Sequence, residues 1–167
     1  IKNYDLKVYK ADEPNWSVTQ DHRGVMYFGN SDVILEYDGR NWQKIQMPGQ
    51  KFIYSLITGS DGKIYAGGVD DFGVLNTNSA GGKEYNSLKS LVDDSIQVNR
   101  VWKIYADDSA VYFCTNTHIF QYTIANKKIT KVIRLKSGNF WSFLIDGVLY
   151  TGYYSKGLLV YRDGKFE

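Results

Sequence analysis

The stretch GVMYFGNSDVILEYDG, from Gly24 to Gly39, decides the fold because the chain writes it more than once. It returns as AVYFCTNTHIFQYT from Ala110 and as GVLYTGYYSKGLLVYRDG from Gly147. A phrase recurring at a fixed step marks a repeat architecture in which each copy is one supersecondary unit. Two independent anchors set the step. The aromatics that open each unit, Trp16, Tyr54, Trp102 and Trp141, lie 38, 48 and 39 residues apart. The tyrosines farther on, Tyr27, Tyr65, Tyr112 and Tyr150, lie 38, 47 and 38 apart. The surplus of the second unit falls in NSAGGKEYNSLKSLVDDS, a loop insertion with room for a helical turn or two.

Within each unit the pattern is constant. A short alternating strand comes first, with Trp16 and Val18, Tyr54 and Leu56, Trp102 and Ile104, and Trp141 and Phe143 each sharing a face. A polar turn follows, then a strand that is apolar at both parities: VMYFG, KIYAG, AVYFC or VLYTG. A variable loop leads to a third strand ending at Tyr37, Thr77, Tyr122 or Tyr161, and a turn leads to a weak fourth. Asp-Gly pairs at 38–39, 61–62, 146–147 and 163–164 read as type I′ hairpin turns, which need positive φ at both central residues.

Four antiparallel strands per ~40-residue repeat mean propeller blades. A strand apolar on both sides fits, because neighbouring blades cover both faces of a blade. The expected fold is all-β, with about four β-propeller blades over residues 14–48, 51–88, 98–134 and 138–167. We read them as a fragment of a larger, seven-bladed propeller that self-associates or dimerises through its uncovered blade faces. Residues 1–10, IKNYDLKVYK, alternate like an edge strand that closes the ring. The opening aromatics read as interblade core rather than as a stacking surface.

Composition narrows the partners. Of the 167 residues, 16% are aromatic, with 14 tyrosines, and Lys plus Arg exceeds Asp plus Glu by only two. The charges are scattered, which predicts no nucleic-acid binding and no membrane contact by this chain. Cys114, the lone cysteine, stands where other units carry Gly29 and Gly67, and reads as a buried small residue. His22 and His118 lack metal-ligand spacing, so neither a metal nor a cofactor is expected. The paired acids at 70–71, 93–94 and 107–108 read as loops or turns, and no catalytic motif is present.

Topology selects a candidate site. In a propeller, the loops from second to third strand and from blade to blade share one rim, and here those loops vary most. Function concentrates in variable loops on a rigid scaffold. Asn30, Asp70, Asp71, Phe72, Asn116, His118, Tyr153 and Tyr154 are therefore expected around one mouth of the channel. Aromatic platforms with amide and carboxylate acceptors suit a polar organic ligand, an oligosaccharide for example.

The residues NWSVTQDHRGVMYFGNSDVILEYDGRNWQKI closely resemble the two-component regulator propeller repeat of Bacteroidetes sensor proteins. Asp21, Gly24, Tyr27, Gly29, Tyr37 and Asp38 match it in the first unit. Asp61, Gly62, Tyr65, Gly67 and Gly73 match in the second, and Asp146, Gly147, Tyr150, Gly152 and Gly157 in the fourth. The third departs, with Cys114 and His118 at two glycine positions. The resemblance covers residues 14–167. It implies the periplasmic sensor region of an inner-membrane signalling protein, followed by a Tyr-rich sandwich domain, a membrane helix and a histidine kinase, hybrid kinase or helix-turn-helix output. It also implies glycan breakdown products as signals. A non-catalytic sensor module is the first expectation, an interaction scaffold the second, and a propeller lyase or glycosidase the third.

Overall fold

The computed structural model describes residues 4–49, 52–136, 139–154 and 156–167, without the side chains of Asn139 and Phe140. Among the described residues, sixteen strands form four separate four-stranded antiparallel sheets, each in sequence order. The first holds β1 (Ser17–Gln20), β2 (Met26–Gly29), β3 (Val33–Tyr37) and β4 (Trp42–Gln46). The second holds β5 (Ile53–Thr58), β6 (Ile64–Gly68), β7 (Phe72–Thr77) and β8 (Lys83–Ser87). The third holds β9 (Val101–Ala106), β10 (Ala110–Thr115), β11 (His118–Thr123) and β12 (Lys128–Arg134). The fourth holds β13 (Asn139–Ile145), β14 (Val148–Tyr153), β15 (Gly157–Arg162) and β16 (Lys165–Phe166). The first strands pack in series, β1 on β5, β5 on β9 and β9 on β13, so they line the axis from which the sheets fan out.

The doubly apolar strands explain themselves in the seams. Every residue of β6 is buried. Ile64 and Ala66 face the first sheet and pack with Tyr27, Ile34, Ile45, Leu56 and Leu75. Tyr65, one parity away, faces the third sheet with Phe72, Val101, Phe113 and Phe120. Phe72 stacks on Phe113 at 4.2 Å between centroids. A third seam joins Tyr112, Cys114, Ile119 and Ile133 to Leu149 of the fourth sheet. Such burial, at about 25 cal/mol per Å² of apolar surface, is the main term holding blade to blade.

The glycine slot at the end of the second strand is a packing requirement. A Cβ on Gly29 would lie 2.8 Å from the Ile53 carbonyl oxygen and 2.7 Å from Ser17 Oγ. One on Gly67 would lie 2.5 Å from Val101 Cγ1. The missing side chains let the next blade's first strand come close. Cys114 fills the same slot in the third sheet, 3% exposed, with its thiol pushed up to about 12 by burial. It is a small core residue there, as its position in the repeat predicts.

At the opposite rim an aspartate and a tyrosine recur as a latch. Tyr27, Tyr65 and Tyr112 donate their hydroxyls to Asp21, Asp61 and Asp107 at 3.4, 3.1 and 2.9 Å. The same carboxylates accept turn N–H groups: Val25 and Arg23 on Asp21, Lys63 on Asp61, and Ser109 and Ala110 on Asp107. Each latch pins the first hairpin of a blade to its second strand.

Three expectations are corrected. Residues 1–3 lie outside the described residues, and 4–10 do not form an edge strand. Leu6–Tyr9 make a single helical turn, α1, because Asp5 caps it by accepting from the Lys7 and Val8 N–H groups. Tyr4, Tyr9 and Ala11 then cover Val33, Leu35, Phe28 and Trp42 on the outer face of the first sheet. Only Asp146–Gly147 and Asp163–Gly164 have positive φ at both residues; Asp38 and Asp61 do not. Asp38 instead accepts from the Arg40 and Asn41 N–H groups, an Asx turn that leaves only Gly39 at positive φ.

The third correction concerns the opening aromatics, which are not interblade core. Trp16 and Trp141 are 46% and 44% exposed, and Tyr54 and Trp102 are half-buried. Tyr54, Trp102 and Trp141 lie at β-bulges, and Trp16 immediately precedes β1. Tyr54 has no opposite residue between the Ile53–Gly68 and Ser55–Gly67 pairs, nor has Trp102 between Val101–Thr115 and Lys103–Cys114. Phe140 and Trp141 share the interval opposite Gly152. Trp16 donates its N–H to the Gly29 carbonyl, while Ser17 is also paired with Gly29. A bulge re-aims its extra side chain. Here it turns an aromatic out of the seam at the loop-bearing end of the first strand.

Candidate ligand-binding site

The loop-bearing rim carries the ends of all four first strands and the turns between second and third strands. Its opening aromatics meet one another across the seams. Trp16 packs edge-on against Tyr54 at 5.2 Å and against Phe52 at 6.5 Å, and Tyr54 meets Trp102 at 4.7 Å. The Arg100 guanidinium lies over the Trp102 ring, 5.6 Å from its centroid.

Beside Trp102 opens a cleft of about 760 Å³, lined among others by Asp70, Lys89, Asn99, Arg100 and Asn116. A second cleft of about 860 Å³ shares Ile96, Gln97, Asn99, Asn116 and Thr117 with it and continues to His118, Arg134 and Lys136. The connection from the second to the third sheet builds the common wall. Asp70 and Asn99 hold that wall in place: both have positive φ, and the Asp70 N–H donates to the Asn99 carbonyl at 2.6 Å. Lys89 reaches back to the Asp70 carboxylate at 2.8 Å. Asn99 donates to Thr117 Oγ1 at 3.2 Å, and Thr115 Oγ1 accepts the His118 N–H at 2.9 Å, fixing the turn between β10 and β11. His118 Nδ1 lies 3.1 Å from Thr117 Oγ1. Burial, and next the Arg134 guanidinium paired across the strands, hold the His118 imidazole below its usual value.

The sequence candidates divide sharply. Asp70, Asn116 and His118 line this double cleft. Three others turn inward and do not reach the mouth. Asn30 is fully buried, donating to the Asp12 carbonyl at 2.6 Å and to Asn15 at 2.8 Å, while its own carbonyl accepts the Ile53 N–H. Asp71 is buried and accepts from Ser87 at 2.7 Å; its carboxylate lies beside the Tyr85 hydroxyl. Phe72 is wholly within the seam on Phe113. Tyr153 ends β14 and Tyr154 lies in the turn after it, both outside the lining of the two clefts; Tyr154 is 82% exposed.

Sequence reasoning missed Lys89, Asn99, Arg100, Trp102 and Arg134. The usable signal was the inter-blade insertion, which lengthens one wall of the rim. Among the described residues no three His, Cys, Asp or Glu side chains converge. Of the two acids that line the cleft system, Asp70 is engaged by Lys89. The arrangement offers donors, acceptors and a ring face, which is the equipment of a binding site.

No family model and no curated protein sequence matches the chain. Solved structures match it in fold. The extracellular domain of a B. thetaiotaomicron protein described as a hybrid two-component system aligns with a TM-score of 0.66 at 21% identity, over 96% of this chain and 24% of its own. A streptogramin B lyase aligns at 0.67 and 13% identity, over 92% and 53%. The WD40 β-propeller domain of Doa1 aligns at 0.67 and 10% identity, over 93% and 54%. The chain thus spans about a quarter of the signalling domain and about half of the other two. At these identities the likeness establishes the architecture, a β-propeller fold.

Proposed function

We propose that the chain is a non-catalytic, ligand-binding sensor module of a bacterial transmembrane signalling protein of the two-component or helix-turn-helix regulator type. In this reading the module stands on the periplasmic side and answers to glycan-derived ligands. The carrying observation is the continuous double cleft on the loop-bearing rim, with Trp102 at one end and amide, hydroxyl and cationic groups along it. Sugars are recognised by such mixtures of ring faces and convergent polar groups. The repeat residues Asp21, Gly24, Tyr27 and Gly29 and the shared fold with a bacterial extracellular signalling domain support the cellular role. No helix among the described residues is long and apolar enough to cross a membrane. A ligand here acts by favouring one blade packing over another.

A thermal-shift screen of chemically varied oligosaccharides tests the reading. A ligand at 100 times its dissociation constant adds about 2.7 kcal/mol, or about 5–10 °C for a domain of this size. Flat melting curves across the whole panel refute ligand sensing. Turnover of a glycan that disappears on His118→Ala replaces it with an enzymatic reading.

A further inference from the structure

One arm of the double cleft carries charged side chains of a single sign. The cleft that ends at Arg134 and Lys136 is lined by Ser95, Gln97, Asn99, Asn116, Thr117 and His118 besides, and by no carboxylate. Among the described residues no ion pair neutralises Arg134, Lys136 or Arg100. The one lysine of the adjoining cleft that has a partner, Lys89, takes Asp70 out of play, leaving Asp94 as its only other acid. A concave surface lined by charges of one sign concentrates the field inside it.

We propose that the double cleft is selective for anionic sugars, carboxylated or sulfated. The anionic group sits at Arg134 and Lys136, and a pyranose face rests toward Trp102. This rests on the reading of the rim as a small-molecule site and adds the class of ligand. The geometry divides the labour. Arg134 is held in register opposite His118 on β11, so its guanidinium works from a fixed strand rather than a loose loop. A guanidinium presents paired N–H donors that match carboxylate or sulfate oxygens. Asn116 and Thr117 lie on the shared wall, placed to bond ring hydroxyls between the two ends. Arg100 over the Trp102 ring closes the far end with a second cation.

Titration calorimetry of the chain with a galacturonic acid trimer, a 6-O-sulfated galactose trimer and the neutral galactose trimer tests this. The expected result is tighter binding of an acidic trimer, weakening as salt rises. Arg134→Gln should cost it about tenfold in affinity and leave the neutral trimer unaffected. Lys136→Gln, an exposed change, should act in the same direction. Which acidic trimer binds decides between carboxylate and sulfate. NMR titration should also show the His118 imidazole pKa rising when the acidic trimer is bound. Equal affinities for acidic and neutral trimers, indifferent to Arg134→Gln, overturn the anion selectivity and leave the small-molecule reading standing. Binding of none of the three overturns both.

Discussion

Gly67→Ala tests the claim that the repeat's glycine is a seam device. Gly67 lies in β6 without positive φ, so an alanine fits the backbone there. Space is what fails. The new Cβ would meet Val101 Cγ1 at 2.5 Å, Val101 Cβ at 2.8 Å and Ile104 Cδ1 at 3.2 Å. Val101 is itself fully buried, so it has nowhere to turn. Overpacking of this kind costs about 1–3 kcal/mol, against which Gly→Ala returns about 0.4–1 kcal/mol through the unfolded chain. The net loss is about 1–2 kcal/mol, or about 2–8 °C in Tm. Gly82→Ala is the matched control, since its Cβ would meet only the Asn78 side chain at 3.5 Å or beyond; it should be neutral or slightly stabilising. Val101→Ala alone leaves a cavity. Combined with Gly67→Ala it should cost less than the two single changes together, a coupling that urea denaturation followed by circular dichroism resolves. A Gly67→Ala midpoint equal to that of Gly82→Ala would refute the reasoning, because the second and third sheets would then not be in close contact at that point.

Two further outcomes are expected. Burial tends to raise the Asp107 carboxyl, but the Ser109 and Ala110 N–H groups and the Tyr112 and Ser109 hydroxyls outweigh it and hold it below the ordinary carboxylate value. Its stabilisation is therefore complete above the unfolded pKa of about 4 and is lost as pH falls through the lower folded value. Asp107→Asn should flatten the acid limb of a stability–pH curve measured by chemical denaturation, and an unchanged limb would remove the latch from the account. Val148, Tyr150 and Val160 on the outer face of the fourth sheet lie among Phe143, Ile145 and Leu158, which are exposed. Sedimentation should show concentration-dependent self-association that Leu158→Lys abolishes; a monomer at all concentrations contradicts this.

The sheets were legible because their signals are local. A two-residue alternation, a fixed step between Tyr27, Tyr65, Tyr112 and Tyr150, and a strand apolar at both parities require four-stranded units stacked on both sides. Glycine in the slot filled also by Cys114 pointed to tight packing. The bulges were not legible, because an extra residue is defined only by the opposite strand: Trp102 is unpaired because Val101 and Lys103 pair with adjacent residues. Alternation in the first ten residues mimicked a strand, while the Asp5 cap was the stronger local signal for a turn of helix. At the candidate site, the loop positions include Asp70, Asn116 and His118, which line the clefts. Sequence could not tell that Asn30 and Phe72, one residue from the same turns, point into protein. Arg100 and Arg134 are 34 residues apart in the chain, and only the fold sets them on the two adjoining clefts.

The Cys114 slot has a mechanical consequence. Two joints of the stack are closed by glycine, where backbone or side chain of one leaf lies almost on the strand of the next. The third joint carries a thiol in that position, and β13 touches β9 along less of its length than β9 touches β5. The joint between the third and fourth leaves is thus the less extensively packed one. A ligand gripping Arg134 and Lys136, at the end of β12, is therefore expected to shift the fourth leaf against the third more readily than the first three against one another, a difference that hydrogen exchange across the seams would read.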